Sequence, residues 1–560
     1  MRFSFLFLGI IVILSAVSHL YALSDVPNGL YQDETAIGYN AYSLLVTGKD
    51  EHGVSLPLYF RSFGDYKLPV YIYSTIPSIM IFGLTPFAVR LPSAIFGVLS
   101  VLMIYFFVFQ LFKRKDLALF TSLILAIVPW HIHYSRATFE VSICLFLYLS
   151  GGYFLLRGAD EKKGWAFVLG TALFVLNMYT YNLTRLLTPL LYVLFLAYSW
   201  KEYKKLSKSV SISSFVLIGI GSLPFLVTLF GEGGAKSASG TLIHSSAVIQ
   251  AKLLEFRSYL IYLPLPFTKL FFNTWLMTLW VYLEHITSYL SVSFFFLKGS
   301  LHGNHGIGNS GQFYLFMLPL FLLGSIRAVL SKKREWYFLV VFSIIVILVA
   351  SLTREAPHAT RSYFLLIPWC VFIAYGASMV YSFVRQIKQK LLRTLVVFAM
   401  GVVIGVNIVY YLTSYFVRFP VLYAPSWRSE DDVLADFLVR NEKNYENIIV
   451  DESAGNIYTS LLFYLKYSPM EFHNTSVYSQ PDSEGFLAMK SFGKYGFQRI
   501  DWENLPTGKN LFITTSFNYP ENSQIVDTIM YPVRPVVSAL GQEIVSYPVE
   551  DVAYVISETE

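Results

Sequence analysis

The sequence predicts an α-helical polytopic membrane protein with a small α/β domain at its C-terminus, outside the bilayer. Three observations lead there. Of 560 residues, 55% are hydrophobic and only 14% charged, with a mean hydropathy of +0.53, which is the composition of a membrane chain and not of a soluble one. Apolar runs approaching twenty residues recur through the first three quarters of the chain, and about twenty residues, each rising ~1.5 Å, let a helix cross the hydrocarbon. The charge is also divided: from Arg418 onward there are 10 Lys+Arg and 20 Asp+Glu, leaving 32 and 16 before it, so the apolar part is +16 and the tail −10. The expected division is therefore a membrane domain at 1–416 and a soluble domain at 417–560.

Eleven spans are expected, at residues 3–22, 87–112, 117–130, 139–156, 165–181, 183–200, 210–230, 313–330, 336–352, 363–384 and 395–416. The basic clusters KRKD at Lys113, RGADEKKG at Arg157, KEYKKLSK at Lys201, SKKRE at Ser331 and RQIKQKLLR at Arg385 belong on the cytoplasmic side by the positive-inside rule. That parity puts the N-terminus inside and leaves the first loop, 23–66, the long segment 231–312 and the C-terminal domain outside. Residues 67–84, KLPVYIYSTIPSIMIFGL, are apolar enough to span but would reverse the KRKD cluster. They are expected as an interfacial helix opened by Lys67 and interrupted by Pro69 and Pro77. Two apolar stretches, 259–272 and 275–296, fit interfacial, re-entrant or paired-span arrangements. Residues 3–22 also admit reading as a signal peptide cleaved near LYALS.

In the tail, NIIVDES, FQRIDW, NLFITTSF, DTIMYP, EIVSYP and AYVIS alternate as strands do, while EDDVLADFLVRN and NIYTSLLFYLKY have a helical period. The two cysteines, Cys144 and Cys370, sit in apolar runs, which supports neither a disulfide framework nor a thiolate metal site. No nucleotide-binding loop, internal repeat or nucleic-acid motif is present.

The outer loops concentrate ionisable groups, and such groups beside spans mark functional sites by default. Asp33 and Glu34 follow the first apolar run at once. Asp33 fits a helix cap for ETAIGYNAYSLL as well as a chemical role, and the two are compatible. His131 and His133, two apart, suit a strand more than a metal site. Arg136 and Glu140, four apart, fit a helix-surface ion pair. Tyr181, Asn182 and Arg185 at the end of a span could hold a sugar, and His358 and Arg361 lie in APHATR.

The blocks DETAIGYNAYSLLVTGKDEHG, FGDYKLPVYIYSTIP, FGLTPFAVRLPSAIFGVLSVL, PWHIHYSRATFE and APHATRSYFLLIP resemble, in order, the bacterial branch of the protein O-mannosyltransferases. That branch is similar to the aminoarabinose transferase that modifies lipid A, within the C-fold (GT-C) superfamily of glycosyltransferases. The resemblance extends to about residue 416 and implies an enzyme of the bacterial plasma membrane that takes a sugar from a polyprenyl phosphate on the outer face. It implies that Asp33 and Glu34 match the acidic pair at the active site, and that Lys67 matches a basic residue touching the lipid phosphate.

Displacing a polyprenyl phosphate from an anomeric carbon needs a base for the acceptor hydroxyl and positive charge for the departing phosphate. Asp33 is expected as base, with Glu34 orienting it or the acceptor, and the anomeric centre inverts. Lys67, Arg136 and Arg361 are expected at the phosphate. Tyr181, Asn182, Arg185, His358 and Glu140 are candidate substrate contacts. No cofactor is required by this scheme; the competing arrangement gathers Asp33, Glu34 and Glu140 around Mg²⁺ or Mn²⁺. The sugar and the acceptor, whether protein, lipid or polysaccharide, stay open. A polyprenyl-lipid flippase or transporter is the alternative class, although no paired broken helices in matching halves support it.

Overall fold

The computed structural model describes residues 2–62, 65–229, 243, 247–259, 264–300, 302–307, 310–481, 487–515, 524–531 and 552–559. The principal helices, in chain order, are α1 (Arg2–Leu20), α2 (Gln32–Thr47), α3 (Pro69–Phe82), α4 (Pro86–Phe112), α5 (Lys115–Ile127), α6 (Pro129–Tyr134), α7 (Val141–Asp160), α8 (Gly164–Asn177), α9 (Thr184–Tyr198) and α10 (Lys208–Leu229). They continue with α11 (Ala247–Ser258), α12 (Thr274–Ser288), α13 (Met317–Leu330), α14 (Arg334–Ser351), α15 (Leu366–Gln386) and α16 (Lys390–Thr413), then α17 (Asp431–Asn441), α18 (Tyr458–Tyr464) and α19 (Pro469–Thr475). A hairpin of β1 (Phe60–Ser62) and β2 (Asp65–Lys67) precedes α3.

Each of the eleven apolar segments contains one of these helices. Among the described residues, five helical stretches are long and apolar enough to cross a bilayer by themselves: Pro86–Phe112, Val141–Asp160, Arg334–Ser351, Ala359–Gln386 and Lys390–Leu422. Ser4–Leu20, Pro69–Phe82, Gly164–Asn177, Thr184–Tyr198, Lys208–Pro224 and Met317–Leu330 are shorter apolar helices. Residues 117–130 hold only the short α5, because Pro129 begins a separate helix, α6. Residues 231–242, 244–246, 260–263, 301, 308 and 309 of the long segment lie outside the described residues; α11, α12, a short helix at Leu265–Phe271 and a π-helical turn at Ser293–Leu297 are among its described elements.

The chain forms two compact units. The first comprises Met1–Tyr21, Ser93–Ser135 and Phe139–Tyr411; the second comprises Ala22–Pro92, Arg136–Thr138 and Leu412–Glu560. This partition differs from a single boundary at 416/417, because residues 22–92 pack with the C-terminal region across about four hundred positions of sequence, a distance that no local pattern spans.

In the first unit, small residues bring helix backbones together, as expected where lipid supplies no hydrophobic drive between helices. A Cβ on Gly324 of α13 would run into the Phe372 carbonyl oxygen, and one on Gly376 of α15 into the Leu320 carbonyl oxygen. Gly151 and Gly170 serve α7 and α8 in the same way, each facing the other's carbonyl oxygen. Cys144 and Cys370 are buried and unpaired.

The second unit is built on a seven-stranded sheet ordered β4-β5-β6-β3-β7-β9-β8, where β3 is Asn447–Val450, β4 Val477–Tyr478, β5 Met489–Phe492, β6 Tyr495–Phe497, β7 Asn510–Thr514, β8 Gln524–Met530 and β9 Val552–Thr559. The centre, β6-β3-β7, is parallel and the flanking pairs are antiparallel. All five residues of β7 are buried, as befits a strand covered on both faces. Strands appear at NIIV, NLFIT, DTIM and AYVIS; of FQRIDW only Phe497 belongs to one, and EIVSYP lies outside the described residues. Helix α2 packs on α18 through Gly38, whose missing side chain leaves room for the Phe463 and Val89 side chains.

Candidate active site

The acidic pair belongs to the second unit. Tyr31, in extended conformation, precedes α2 as its N-cap, so Asp33 lies inside the first turn and is not the cap. The positive end of the helix dipole there favours both carboxylates. Asp33 is about one-third exposed, and its Oδ2 accepts a hydrogen bond from Lys67 Nζ at 2.8 Å. Lys67 is positioned by the hairpin, in which Phe60 pairs with Lys67 and Arg61 with Tyr66. It ends a strand and does not open the helix: Pro69 takes the first helical position and holds Leu68 extended.

Glu34 differs from its neighbour. It is fully buried, its Oε1 accepting from Arg90 Nε at 3.0 Å, Thr138 N at 2.9 Å and Thr138 Oγ1 at 2.8 Å, and its Oε2 from Arg90 Nη2 at 2.9 Å. Arg90 also donates to the carbonyls of Leu23, Pro27 and Gly29 and lies over the Trp427 ring at 5.7 Å. One buried ion pair thus ties the first turn of α2 to the first turns of α4. Arg136, also fully buried, donates through Nη2 to the Ala22 and Val26 carbonyls at 3.0 and 2.9 Å, with its guanidinium 5.0 Å from the Phe416 ring.

After α2 the chain turns through Asp50, Glu51 and His52. Asp50 Oδ1 accepts from the backbone N–H of His52 and Val54, and His473 of α19 donates to the Asp50 carbonyl at 2.7 Å. Both Glu51 carboxylate oxygens are buried and meet no hydrogen-bond donor among the described residues, 3.6 Å separating Oε1 from His52 Nε2. Burial pushes the Glu51 carboxyl up to about 8, and burial together with Arg61 pushes His52 down to about 4, so both favour their neutral forms.

The other residues singled out by sequence belong to the first unit. Residues 135–138 form turns, so no helix surface joins Arg136 to Glu140, which stands at the start of α7. Tyr181, Asn182 and Arg185 are half-buried around the turn from α8 into α9. His131 and His133 share the helix α6 instead of a strand, because Pro129 starts a helical turn. His131 Nδ1 meets His19 Nε2 at 3.2 Å, and His133 Nε2 meets the Asn304 carbonyl at 2.9 Å. His358 and Arg361 are brought together with Glu355, from the same outer turn, and with His305 and Thr353, which sequence did not single out. The His358 ring lies 4.5 Å from that of His305, its Nε2 is 3.8 Å from Glu355 Oε2, and Arg361 donates to Thr353 Oγ1 and the Glu355 carbonyl. Burial pushes His305 down to about 3. Among the described residues, no three His, Cys, Asp or Glu side chains are gathered as a metal-holding group.

Comparison with known proteins follows the same lines. Residues 67–227 match the family model described as dolichyl-phosphate-mannose-protein mannosyltransferase. ArnT from Cupriavidus metallidurans bound to undecaprenyl phosphate superposes with a TM-score of 0.53 at 11% identity, covering 100% of this chain and 98% of ArnT. The same protein in its apo state gives 0.51 at 12% identity over the same shares. The chain shares the fold of ArnT. The archaeal oligosaccharyltransferase AglB from Archaeoglobus fulgidus, in complex with an inhibitory peptide and a dolichol-phosphate, shares it with a TM-score of 0.50 at 12% identity. That match covers 82% of this chain and spans 63% of the length of AglB. No curated protein matches the sequence.

Sequence reasoning passed over Arg90, Thr138, His52 and His305. A signal for Arg90 existed, since an arginine within the apolar run FAVRLP demands a partner. Its partner, Glu34, lies 56 residues away and carries no such mark.

Proposed function

We propose that the protein is a membrane glycosyltransferase that moves a sugar from a polyprenyl-phosphate donor to an acceptor hydroxyl on the extracytoplasmic face, with inversion. The observation that carries this is the Asp33–Lys67 pair, which holds a carboxylate and an ammonium 2.8 Å apart at a helix N-terminus. The C-fold and the undecaprenyl phosphate bound by ArnT support a lipid-phosphate donor. In this reading the donor phosphate draws Lys67 away from Asp33. The Asp33 carboxylate then takes the acceptor proton while the acceptor oxygen bonds to the anomeric carbon. The bond from that carbon to the phosphate oxygen breaks, its electron pair leaving with the phosphate, whose charge Lys67 balances. Glu34 and Arg90 hold the first turn of α2 in place.

The proposed topology has eleven spans in the bacterial plasma membrane, the N-terminus cytoplasmic and the C-terminal sheet outside. The chemistry calls for no metal. The test is incubation of purified protein with a panel of polyprenyl-phosphate sugars and membrane extract, scored by mass spectrometry with and without chelator. Wild type consumes one donor and releases free polyprenyl phosphate in step with product, while Asp33→Asn and Lys67→Ala do not. Full activity in both variants sinks the assignment. Loss of activity with chelator, restored by Mg²⁺ or Mn²⁺, replaces it with the metal-centred arrangement. Lipid movement without donor consumption favours a flippase.

A further inference from the structure

Helix α16 touches little protein along its length. Of its 24 residues only Tyr411 is buried. Between it and α5, α15 and the start of α13 lies a cleft of about 1130 Å³, above the ~300–1,000 Å³ usual for small-molecule sites. Its walls are apolar, with Leu123, Ile127, Leu320, Val380, Val397 and Ile404 among them.

The charge in the cleft is all of one sign, contributed by Arg385 at the end of α15 and Arg393 in the first turns of α16. Residues 385–393, RQIKQKLLR, add Lys388 and Lys390 beside them. No ion pair engages either arginine among the described residues; Arg385 lies over the Tyr381 ring, 5.7 Å from its centroid. Along α16, the stretch from Arg393 to Ile404 rises about 16 Å, roughly half of a ~30 Å hydrocarbon core and hence the depth of one leaflet.

These dimensions and charges describe a lipid. Acyl chains gain little by leaving other acyl chains for an apolar protein wall, so selectivity in such a cleft comes from the head group. Two guanidiniums at its mouth match a phosphate, and basic pockets between spans at the positively charged face bind anionic head groups. We infer that the cleft holds one anionic glycerophospholipid, with its phosphate between Arg385 and Arg393 and an acyl chain along α16, and that this lipid fills the gap between α16 and the bundle. The inference is independent of the reaction the protein performs.

The experiment is native mass spectrometry of the full-length protein with phosphatidylglycerol, phosphatidylcholine, undecaprenyl phosphate or glycerol phosphate added singly, with the apparent melting temperature measured in parallel. Wild type is expected to retain one phosphatidylglycerol at least ten-fold more than phosphatidylcholine, and to melt higher with it. Arg385→Gln/Arg393→Gln loses both effects. Ala377→Trp, which blocks the cleft and leaves the arginines, loses the retained lipid, whereas Lys388→Gln/Lys390→Gln keeps it. Equal retention of phosphatidylcholine, preference for undecaprenyl phosphate, binding of glycerol phosphate alone, or equal loss in the lysine variant would each overturn the assignment.

Discussion

Asp33 and Glu34 are adjacent carboxylates with opposite surroundings, and they are expected to fail in opposite ways. Asp33→Asn keeps the shape of α2 but loses a base, so turnover of the donor should fall by about 10²–10⁴-fold. Binding of polyprenyl phosphate by the same variant should hold or tighten, because Lys67 is released from its 2.8 Å partner; a binding assay beside the turnover assay checks both. Glu34→Ala leaves the Arg90 guanidinium buried without its counter-charge. Breaking a buried pair in this way costs about 3–5 kcal/mol, to be read as a large drop in apparent melting temperature. The adjacency of the two was plain in the sequence. Their different work was not, because it depends on Arg90 and Thr138, which reach Glu34 only after the chain has folded back.

At the scale of elements, the turn after α2 carries a pH signature. The Glu51 carboxyl is raised to about 8, so its contribution is intact below the usual carboxylate range and is lost as pH rises toward 8. His52 is lowered to about 4, so its contribution is intact above the usual imidazole value and is lost as pH falls toward 4. Glu51→Gln should therefore melt higher than wild type by a margin that grows with pH and levels off above about 8, while the acid limb set by His52 persists. Thermal unfolding across pH 4 to 9 measures it. Helix crossings offer a second test. Gly376→Val would drive a Cβ into the Leu320 carbonyl, with backbone on both sides unable to yield, so α13 and α15 must separate and folded yield should fall sharply. Helices of this kind were legible from hydropathy, which is local. The crossing glycines were not, because a glycine looks the same in sequence whether or not another backbone passes over it.

At the scale of the whole molecule, the +16 and −10 halves led to the expectation of a membrane part and a soluble part, and the chain does hold apolar helices and a C-terminal sheet. What charge could not foretell is that the chain is shared out differently, with residues 22–92 in the same unit as 412–560. Thr35 meets Thr459, Tyr39 donates to the Tyr467 carbonyl, and His473 donates to that of Asp50. Removing residues 417–560 should therefore abolish donor turnover even though Asp33, Lys67 and the apolar helices all remain. An active truncated protein would show that α2 and the hairpin hold their arrangement unaided.

The same interleaving bears on how the protein is made. Pro92 leaves the ribosome about 320 residues before Leu412, and at roughly 5–20 residues per second that interval is about 16 to 64 s. For that time the acid and the ammonium are already synthesised, but the strands and helices against which their segment packs do not yet exist. A nascent or prematurely terminated chain therefore lacks the packing that holds α2 and the hairpin, and on the proposed function activity arrives only when translation is nearly over.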